Sequence, residues 1–230
     1  MNLLEIKKAT KSFDGKKIID GVSLTVTRGK IVGLLGKNGS GKSTLIKLIN
    51  DLLTLDDGEI LVNGEKIGVN SKAVISYLPE RSYLDVSKKV SEIFDYFEDF
   101  YKDFDRDKAE SLVKELELSL DMKISKMSKG MREKISLALV MSRRAELYIL
   151  DEPLGGVDPV TRDRILKTIL SNFGENSSLI ITTHLISDVE KILDEVIFID
   201  KGKIVLQGDA DKLREEENAS INDIFRRKVQ

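Results

Sequence analysis

A glycine-rich stretch from Gly36 to Thr44 constrains the fold of this chain more than any other segment. It fits the pattern Gly-x-x-x-x-Gly-Lys-Ser/Thr, which forms a phosphate-binding loop between a strand and a helix. The apolar run 31–35 before it predicts a buried strand, and leucine and isoleucine recur at helical spacing over 45–52 after it. The order strand, glycine loop, helix predicts binding of a nucleoside triphosphate.

The residue types in this stretch explain its chemistry. Glycines 36, 39 and 41 let backbone N–H groups surround a β-phosphate, where a Cβ would obstruct them. The ammonium group of Lys42 suits the β- and γ-phosphates and the Ser43 hydroxyl suits Mg²⁺, while the following helix adds partial positive charge at its N-terminus. The residues expected to contact the nucleotide are Gly36, Lys37, Asn38, Gly39, Ser40, Gly41, Lys42, Ser43 and Thr44.

Composition excludes several other classes of protein. The 230 residues carry a formal net charge of -2, so we expect no nucleic-acid partner. Cysteine is absent from the sequence, which rules out disulfides and is compatible with a reducing compartment. Apolar runs stay well short of the roughly 18 residues that span a bilayer, and the first residues lack a signal peptide's apolar core. We expect a soluble chain that reaches a membrane only through a partner.

An acidic pair follows a second apolar run. Residues 147–150 predict a buried strand whose carboxyl end presents Asp151 and Glu152, and ligands of open parallel sheets bind at such ends. Adjacent buried carboxylates repel each other unless a cation and a reacting water use them. Asp151 is therefore expected to hold Mg²⁺ through water and Glu152 to polarise the attacking water. The alternative is an ordinary acid pair at a strand end.

Two further side chains are candidates for nucleotide contacts. The β-rich run 178–183 ends at His184, the single histidine of the chain. A lone histidine is more often a surface or core residue, but this position favours a hydrogen bond to a γ-phosphate. Phe13 lies between two β-like runs at 3–10 and 22–27, and both stacking on adenine and packing in the core are open to it.

The middle of the chain has a different character. Between about residues 87 and 144, apolar residues at helical spacing predict an all-helical insertion. We interpret most of its aromatic side chains as core and the remainder as a docking surface for a partner helix. The predicted division is a catalytic core with a β subdomain, 1–86 and 145–230, and a helical subdomain, 87–144.

These segments together resemble the nucleotide-binding subunit of an ABC transporter over nearly the whole chain. The glycine loop corresponds to Walker A, 147–152 to Walker B with its catalytic glutamate, and His184 to the switch histidine. Asp158 stands where the family has its D-loop, and Phe13 where it has an adenine-stacking aromatic residue. The most specific match is Met-Ser-Lys-Gly-Met at 127–131, which is similar to the signature Leu-Ser-Gly-Gly-Gln. In the family this segment caps the ATP of the opposite subunit, which implies a head-to-tail dimer around two Mg-ATP.

Five positions need comment within that resemblance. Ser128 and Gly130 are retained, and they imply a hydroxyl and N–H groups for the opposite ATP. Lys129 replaces the first signature glycine and adds positive charge near the γ-phosphate, so we expect activity to be retained. Together with Met131 it resembles a variant of two-component exporters. Glu80 occupies the place of the family's Q-loop glutamine; its carboxylate can accept from metal-bound water but cannot donate as an amide does.

The resemblance implies both fold and function. The expected fold is α/β, a P-loop NTPase core with a mostly parallel sheet, an N-terminal antiparallel β subdomain and an inserted α-helical subdomain. The expected roles are catalysis by Glu152, His184 and Lys42, and Mg²⁺ binding by Ser43, Asp151 and Glu80.

The implied activity is that of an ATP-hydrolysing motor. It would form a homodimer, or a heterodimer with a second ATP-binding subunit, and drive a separate transmembrane permease, in export rather than import. That places it in the cytoplasm, on the inner face of the membrane. The alternative is a soluble ABC ATPase acting on a ribosome, DNA or an assembly scaffold. A small-molecule kinase would share the glycine loop but leaves the signature segment unexplained.

Overall fold

Two β-sheets organise the structure, a computed structural model that describes residues 2–174 and 176–229. Within these residues the strands are β1 (Asn2–Phe13), β2 (Lys16–Thr27), β3 (Ile31–Leu35), β4 (Asp57–Val62), β5 (Glu65–Lys66), β6 (Ile75–Leu78), β7 (Leu147–Asp151), β8 (Ser178–Thr183), β9 (Glu195–Asp200) and β10 (Lys203–Asp209). The α-helices are α1 (Lys42–Ile49), α2 (Val69–Val74), α3 (Val90–Phe100), α4 (Arg106–Glu115), α5 (Lys129–Met141), α6 (Pro159–Asn172), α7 (Ile186–Val189), α8 (Ala210–Glu217) and α9 (Ile221–Lys228).

The larger sheet brings the functional segments to one edge. Its order is β10-β9-β3-β8-β7-β6, with β10 antiparallel to β9 and the other neighbours parallel. The strands β3, β7 and β8 are buried along their whole length, which explains the nearly continuous apolar sequences of β3 and β7 and the apolar centre of β8. In the parallel register Leu35 pairs with Thr183, and Asp151 pairs with Thr182. The glycine loop, the acidic pair and His184 therefore all begin at the same edge.

The smaller sheet is antiparallel, in the order β2-β1-β4-β5. Its hairpin turns contain Asp14-Gly15 and Asn63-Gly64, and all four of these residues have positive φ. This backbone matches the right-handed twist of the flanking strands, and it favours Asn or Asp followed by Gly. Both turns therefore have the residue pairs that this turn geometry favours.

The parallel sheet separates two hydrophobic cores. Successive side chains of a strand point to opposite faces, so Val32 and Leu34 of β3 pack with α1 and the antiparallel sheet. Ile31 and Leu35 pack on the other face, with helices α3 to α6. The predicted α/β fold, with a mostly parallel sheet, an antiparallel β part and inserted helices, is confirmed.

The inserted helices divide their aromatic residues between core and surface. Phe94 and Phe97 of α3 are buried, whereas Tyr96 and Phe100 are exposed and stack with ring centroids 5.9 Å apart. Helix α2 was not predicted, and it ends at Val74, directly before β6 begins at Ile75. The division of the chain at residues 87 and 144 stays a prediction.

Over the described residues, no helix combines the length and the apolar character needed to cross a membrane.

Candidate active site

The glycine loop joins β3 to α1 and needs glycine for two different reasons. Gly41 precedes α1 with a φ of 112°, a left-handed conformation that L side chains rarely adopt. At Gly36 the reason is close packing, because a Cβ there would lie 2.5 Å from the carbonyl oxygen of Ile199. The loop is thus held tightly against the end of β9.

Lys42 is folded back onto the loop that precedes it. Its side chain is only 6% exposed, and Nζ donates to the carbonyl oxygens of Gly36 at 2.7 Å and Lys37 at 3.2 Å. Burial lowers the pKa of Lys42, and the negative charge of nearby carboxyl groups, Glu152 first, acts in the opposite direction. The hydroxyl of Ser40 is buried with no hydrogen-bond partner among the described residues. The loop therefore offers a desolvated cation and an unused hydroxyl to an anionic ligand.

Asp151 is buried at the end of β7, with 2% of the residue exposed. Burial raises the pKa of Asp151, whereas hydrogen bonds with Thr182 and Ser43 act to lower it. The Thr182 hydroxyl donates to Oδ1 at 2.5 Å. The repulsion of Glu80 and Glu152 raises the pKa of Asp151 further. A cation would relieve this accumulation of negative charge.

The residues present fit Mg²⁺ bound together with a nucleotide. Mg²⁺ prefers hard oxygen ligands and is usually held by one or two protein groups plus phosphates and water. The hydroxyl of Ser43 and the carboxylate of Asp151 supply such ligands. Among the described residues, no group of three or more His, Cys, Asp or Glu side chains could hold a metal unaided. Phosphate oxygens would have to complete the coordination.

Glu152 lies between the two other predicted catalytic residues. Its Oε2 is 2.8 Å from Nδ1 of His184, and its Oε1 is 4.0 Å from Nζ of Lys42. The backbone of Glu152 is left-handed, with a φ of 52°, and its N–H donates to Thr182. When Glu152 is ionised it accepts from Nδ1–H of His184, which leaves Nε2 as the free ring nitrogen. The fold therefore brings Lys42, Glu152 and His184 together.

These side chains face a cleft of about 1000 Å³. Phe13 lines it from the end of β1 and is 43% exposed, so the interpretation of Phe13 as a core residue is wrong. Nζ of Lys11 lies 5.6 Å from the centre of the Phe13 ring. The other predicted site residues that line the cleft are Asn38, Gly39, Gly41, Lys42, Ser43, Thr44, Glu80, Lys129, Glu152 and His184.

The signature segment is only partly in this cleft. Ser128 caps α5, its hydroxyl accepting from the Met131 N–H at 3.3 Å. Lys129 lines the cleft of its own chain, where its ammonium lies over Gly156 and 3.6 Å from Glu133. Neither Ser128 nor Gly130 is among the residues that line the cleft.

Asp158 is engaged in a local cap. Its carboxylate accepts from the Thr161 N–H at 3.1 Å and from the Thr161 hydroxyl at 2.7 Å, at the start of α6. Asp158 does not line the cleft of its own chain.

Some residues at the site belong to none of the motifs identified in the sequence. Arg81, Arg132 and Glu133 line the cleft, and Thr182 bonds to both members of the acidic pair. Thr182 offers one signal, since it places a hydroxyl near the carboxyl end of the β-rich run 178–183. Arg132 offers none, because its guanidinium reaches the cleft while donating to the carbonyl oxygen of Met127.

Fold and site together define a P-loop nucleotide-hydrolysing protein, and comparison with known proteins gives its family. The sequence pattern of the family described as "ABC transporter" matches residues 19–155. The ABC transporter ATP-binding protein YtrB of Bacillus subtilis (strain 168) is 32% identical over 217 residues, covering 93% of this chain and 74% of the relative. The chain belongs to the ABC transporter family, as an ATP-binding and ATP-hydrolysing subunit.

Two further similarities agree with this family. The Nod factor export ATP-binding protein I of Rhizobium sp. (strain N33) is 30% identical over 221 residues, covering 93% of this chain and 73% of that protein. A solved structure of the ATP binding subunit of an ABC transporter superposes with a TM-score of 0.90 at 25% identity, covering 99% of this chain and 100% of that one. None of these proteins supports the alternative of a soluble ATPase acting on a ribosome, DNA or a scaffold.

Proposed function

We propose that this chain hydrolyses Mg-ATP with Glu152 as its catalytic carboxylate and thereby drives a separate transmembrane permease in export. The observation that carries the proposal is the position of Glu152, 2.8 Å from His184 and 4.0 Å from Lys42 at the edge of the phosphate loop. A carboxylate beside both a phosphate-binding lysine and a histidine is suited to orient a water for attack on a terminal phosphate.

Binding of ATP would rearrange Lys42. Its ammonium group now donates to two neutral carbonyl oxygens, and the β- and γ-phosphates would replace these with anionic oxygens. The present bonds have an ionised donor only, whereas bonds to phosphate oxygens would also have an ionised acceptor and add the attraction of opposite charges, which is strong for a desolvated ammonium. Phe13, exposed at the end of the cleft, is positioned to stack on the adenine ring.

Ser43 and Asp151 would hold Mg²⁺, with Glu80 as a further ligand. The ion, when bound, neutralises charge that develops on the transferred phosphoryl group. Asp151 is held in place by Thr182, whereas Glu80 is exposed on the cleft. Because a carboxylate at position 80 can only accept, we expect Glu80→Gln to change coupling to the permease more than ATP affinity.

In the hydrolytic step Glu152 accepts a hydrogen bond from the attacking water and draws its proton. His184 keeps the carboxylate oriented through Nδ1–H, and Nε2, when it also carries a hydrogen, donates to an oxygen of the γ-phosphate. Cleavage removes the γ-phosphate contact of His184, so the side chain reports the state of the nucleotide.

A second ATP-binding subunit would complete the site. Ser128, Gly130 and Asp158 lie outside the cleft of their own chain, and Ser128 is exposed at the N-terminus of α5. A helix N-terminus with free N–H groups suits an anion, here the phosphates held by the opposite subunit. We propose a head-to-tail dimer, either of two copies or of this chain with a related one.

Export and the site of action are inferred from similarity. The Nod factor relative is named for export, and the signature variant with Lys129 and Met131 resembles that of two-component exporters. The chain would then work at the cytoplasmic face of a membrane, bound to its permease.

Purification of tagged Glu152→Gln from gently solubilised native cells tests this proposal. With Mg-ATP the stalled subunit should recover a multi-spanning membrane protein, identified by mass spectrometry, and the double variant Glu152→Gln/Lys42→Ala should not. Recovery of ribosomal or other soluble assemblies without a membrane protein would refute the transport role. Hydrolysis by Glu152→Gln near the wild-type rate would exclude Glu152 as the catalytic carboxylate.

A further inference from the structure

Thr182, near the end of β8, bonds to both members of the acidic pair. Its hydroxyl donates to Oδ1 of Asp151 at 2.5 Å and accepts from the N–H of Glu152 at 3.0 Å. A threonine hydroxyl has one hydrogen to donate and two lone pairs to accept with. The one hydrogen of the Thr182 hydroxyl therefore bonds to Asp151, and the oxygen atom of the same hydroxyl accepts the backbone N–H of Glu152.

The Glu152 backbone needs this support. Its φ of 52° lies in the left-handed region, which is unfavourable for residues other than glycine and persists where surrounding contacts hold it. The N–H of Glu152 donates to Thr182 twice, to the carbonyl oxygen at 3.1 Å and to the hydroxyl. This conformation aims the Glu152 side chain at His184.

The other hydroxyl-bearing residues of β8 have different partners. Ser178, at the opposite end of the strand, donates to the carbonyl oxygen of Thr27 at 3.0 Å. Thr183 accepts from the N–H of Leu185 at 2.9 Å. Of the three, Thr182 alone reaches Asp151 and Glu152, although all three are buried.

We infer that Thr182 is a positioning residue for ATP hydrolysis, whose hydroxyl orients the Asp151 carboxylate toward the metal and holds Glu152 in its strained backbone conformation. Without the hydroxyl, Oδ1 of Asp151 loses its donor in a buried environment, and the carboxylate can rotate. The backbone of Glu152 keeps its bond to the Thr182 carbonyl but loses the second acceptor. The inference rests on the hydrolytic roles proposed for Asp151 and Glu152.

Three variants of the full chain test the inference. Thr182→Val keeps the branched shape and removes the hydroxyl, Thr182→Ser keeps the hydroxyl, and Ser178→Ala removes a buried hydroxyl of the same strand away from the site. Two quantities are measured on each: the steady-state rate of ATP hydrolysis, and the affinity for ATP in Mg²⁺ compared with the affinity in EDTA. Thermal unfolding confirms that each variant is folded.

We expect Thr182→Val to lower kcat by about 10-fold or more, the scale of a lost positioning contact, while KM for ATP changes little. The gain in ATP affinity that Mg²⁺ provides should shrink in Thr182→Val and remain in Thr182→Ser and Ser178→Ala. The inference would be overturned if Thr182→Ser lost as much kcat as Thr182→Val. It would also be overturned if Thr182→Val kept the wild-type kcat and the wild-type effect of Mg²⁺ on ATP affinity. Failure of the wild-type chain to bind ATP would instead contradict the proposed function.

Discussion

At the scale of single residues, the site is held together by side chains that bond to backbone atoms. Lys42 donates to the carbonyl oxygens of its own loop, and Thr182 accepts the N–H of Glu152. Such bonds keep the buried charged groups satisfied and oriented, which limits the cost of burial. Substitutions at these positions should therefore change ligand binding while the chain still folds.

Lys42→Ala should weaken ATP binding by at least about 10-fold, equivalent to about 1.4 kcal/mol. The reason is the loss of a desolvated positive charge from the phosphate loop. Equilibrium binding of a fluorescent ATP analogue measures the effect. Lys47→Ala is the matched control, since Lys47 lies exposed on the same helix α1. Equal affinity of the two variants would contradict the role of Lys42.

Glu133, on α5, provides a pH-dependent prediction. Burial raises the pKa of its carboxyl group above the ordinary value of 4.5, although the charge of Lys129 opposes this. Its Oε2 is buried with no hydrogen-bond partner among the described residues. The folded chain thus holds this proton more tightly than the unfolded chain does, so the free energy of unfolding should fall as pH rises from 4.5 through the raised pKa.

Glu133→Gln removes this titration. As pH rises from 4.5 through the raised pKa of Glu133, the unfolding temperature of the variant should rise relative to that of the wild type. Above that pKa the difference between the two unfolding temperatures should stay constant. Thermal unfolding at a series of pH values measures this. Glu115→Gln serves as the control, because Glu115 is exposed at the end of α4. Parallel curves for Glu133→Gln and the wild type would show that Glu133 contributes no such dependence.

At the scale of elements, the N-terminus of α5 has a structural role and a proposed functional role. Its first turn is capped by Ser128, and its later residues are buried from Ile135 onward. Helix α9 offers a comparison, since Ser220 caps it in the same way, accepting from the Asp223 N–H at 3.1 Å. The two caps differ in that only Ser128 belongs to the signature segment.

Ser128→Ala and Ser220→Ala should each lower the free energy of unfolding by about 1 kcal/mol, the usual cost of a lost N-cap. Only Ser128→Ala should also weaken ATP-dependent dimerisation, because its hydroxyl is proposed to contact the opposite ATP. Ser128→Asp should restore the cap but not the dimer, since its charge repels phosphate. Chemical denaturation and light scattering measure the two effects. Undiminished dimerisation of Ser128→Ala would remove Ser128 from the interface.

At the scale of the whole molecule, the cleft of one chain holds only part of the proposed ATPase site. The cleft brings together the phosphate loop, Glu152 and His184, but Ser128, Gly130 and Asp158 do not line it. A second subunit in the opposite orientation would supply the missing contacts to each nucleotide. Association should therefore depend on the bound triphosphate.

Glu152→Gln should double its mass in solution on addition of Mg-ATP and remain monomeric with ADP, because the triphosphate persists when hydrolysis is blocked. Light scattering after size exclusion measures this directly. The double variant Lys42→Ala/Glu152→Gln should stay monomeric in both nucleotides. If Glu152→Gln keeps the mass of a single subunit in Mg-ATP, and the complex purified from cells contains a second ATP-binding chain, the natural dimer is heteromeric. Dimerisation without nucleotide would contradict the proposal.

Much of the molecule was predictable because the relevant patterns are local. Gly41 needs glycine for its own backbone angle, and the hairpin turns at Asp14 and Asn63 follow from short-range preferences. The buried strands β3, β7 and β8 show as apolar runs because both of their faces are covered. Helix α2 escaped prediction because it is short and exposed, with little apolar periodicity to mark it.

By itself the sequence determined the phosphate loop, the acidic pair, the α/β class and the resemblance to the ABC family, since each depends on residue types at fixed spacing along the chain. Tertiary structure alone decided that Glu152 meets His184, that Lys42 bonds to its own loop, and that Thr182 bonds to the carboxylate of Asp151 and to the backbone N–H of Glu152. It also placed Lys129 over Gly156, in the cleft of its own chain. The physical reason is that these contacts, apart from the bonds of Lys42 within its loop, join residues far apart in the chain through strand order and register, which no short-range pattern specifies.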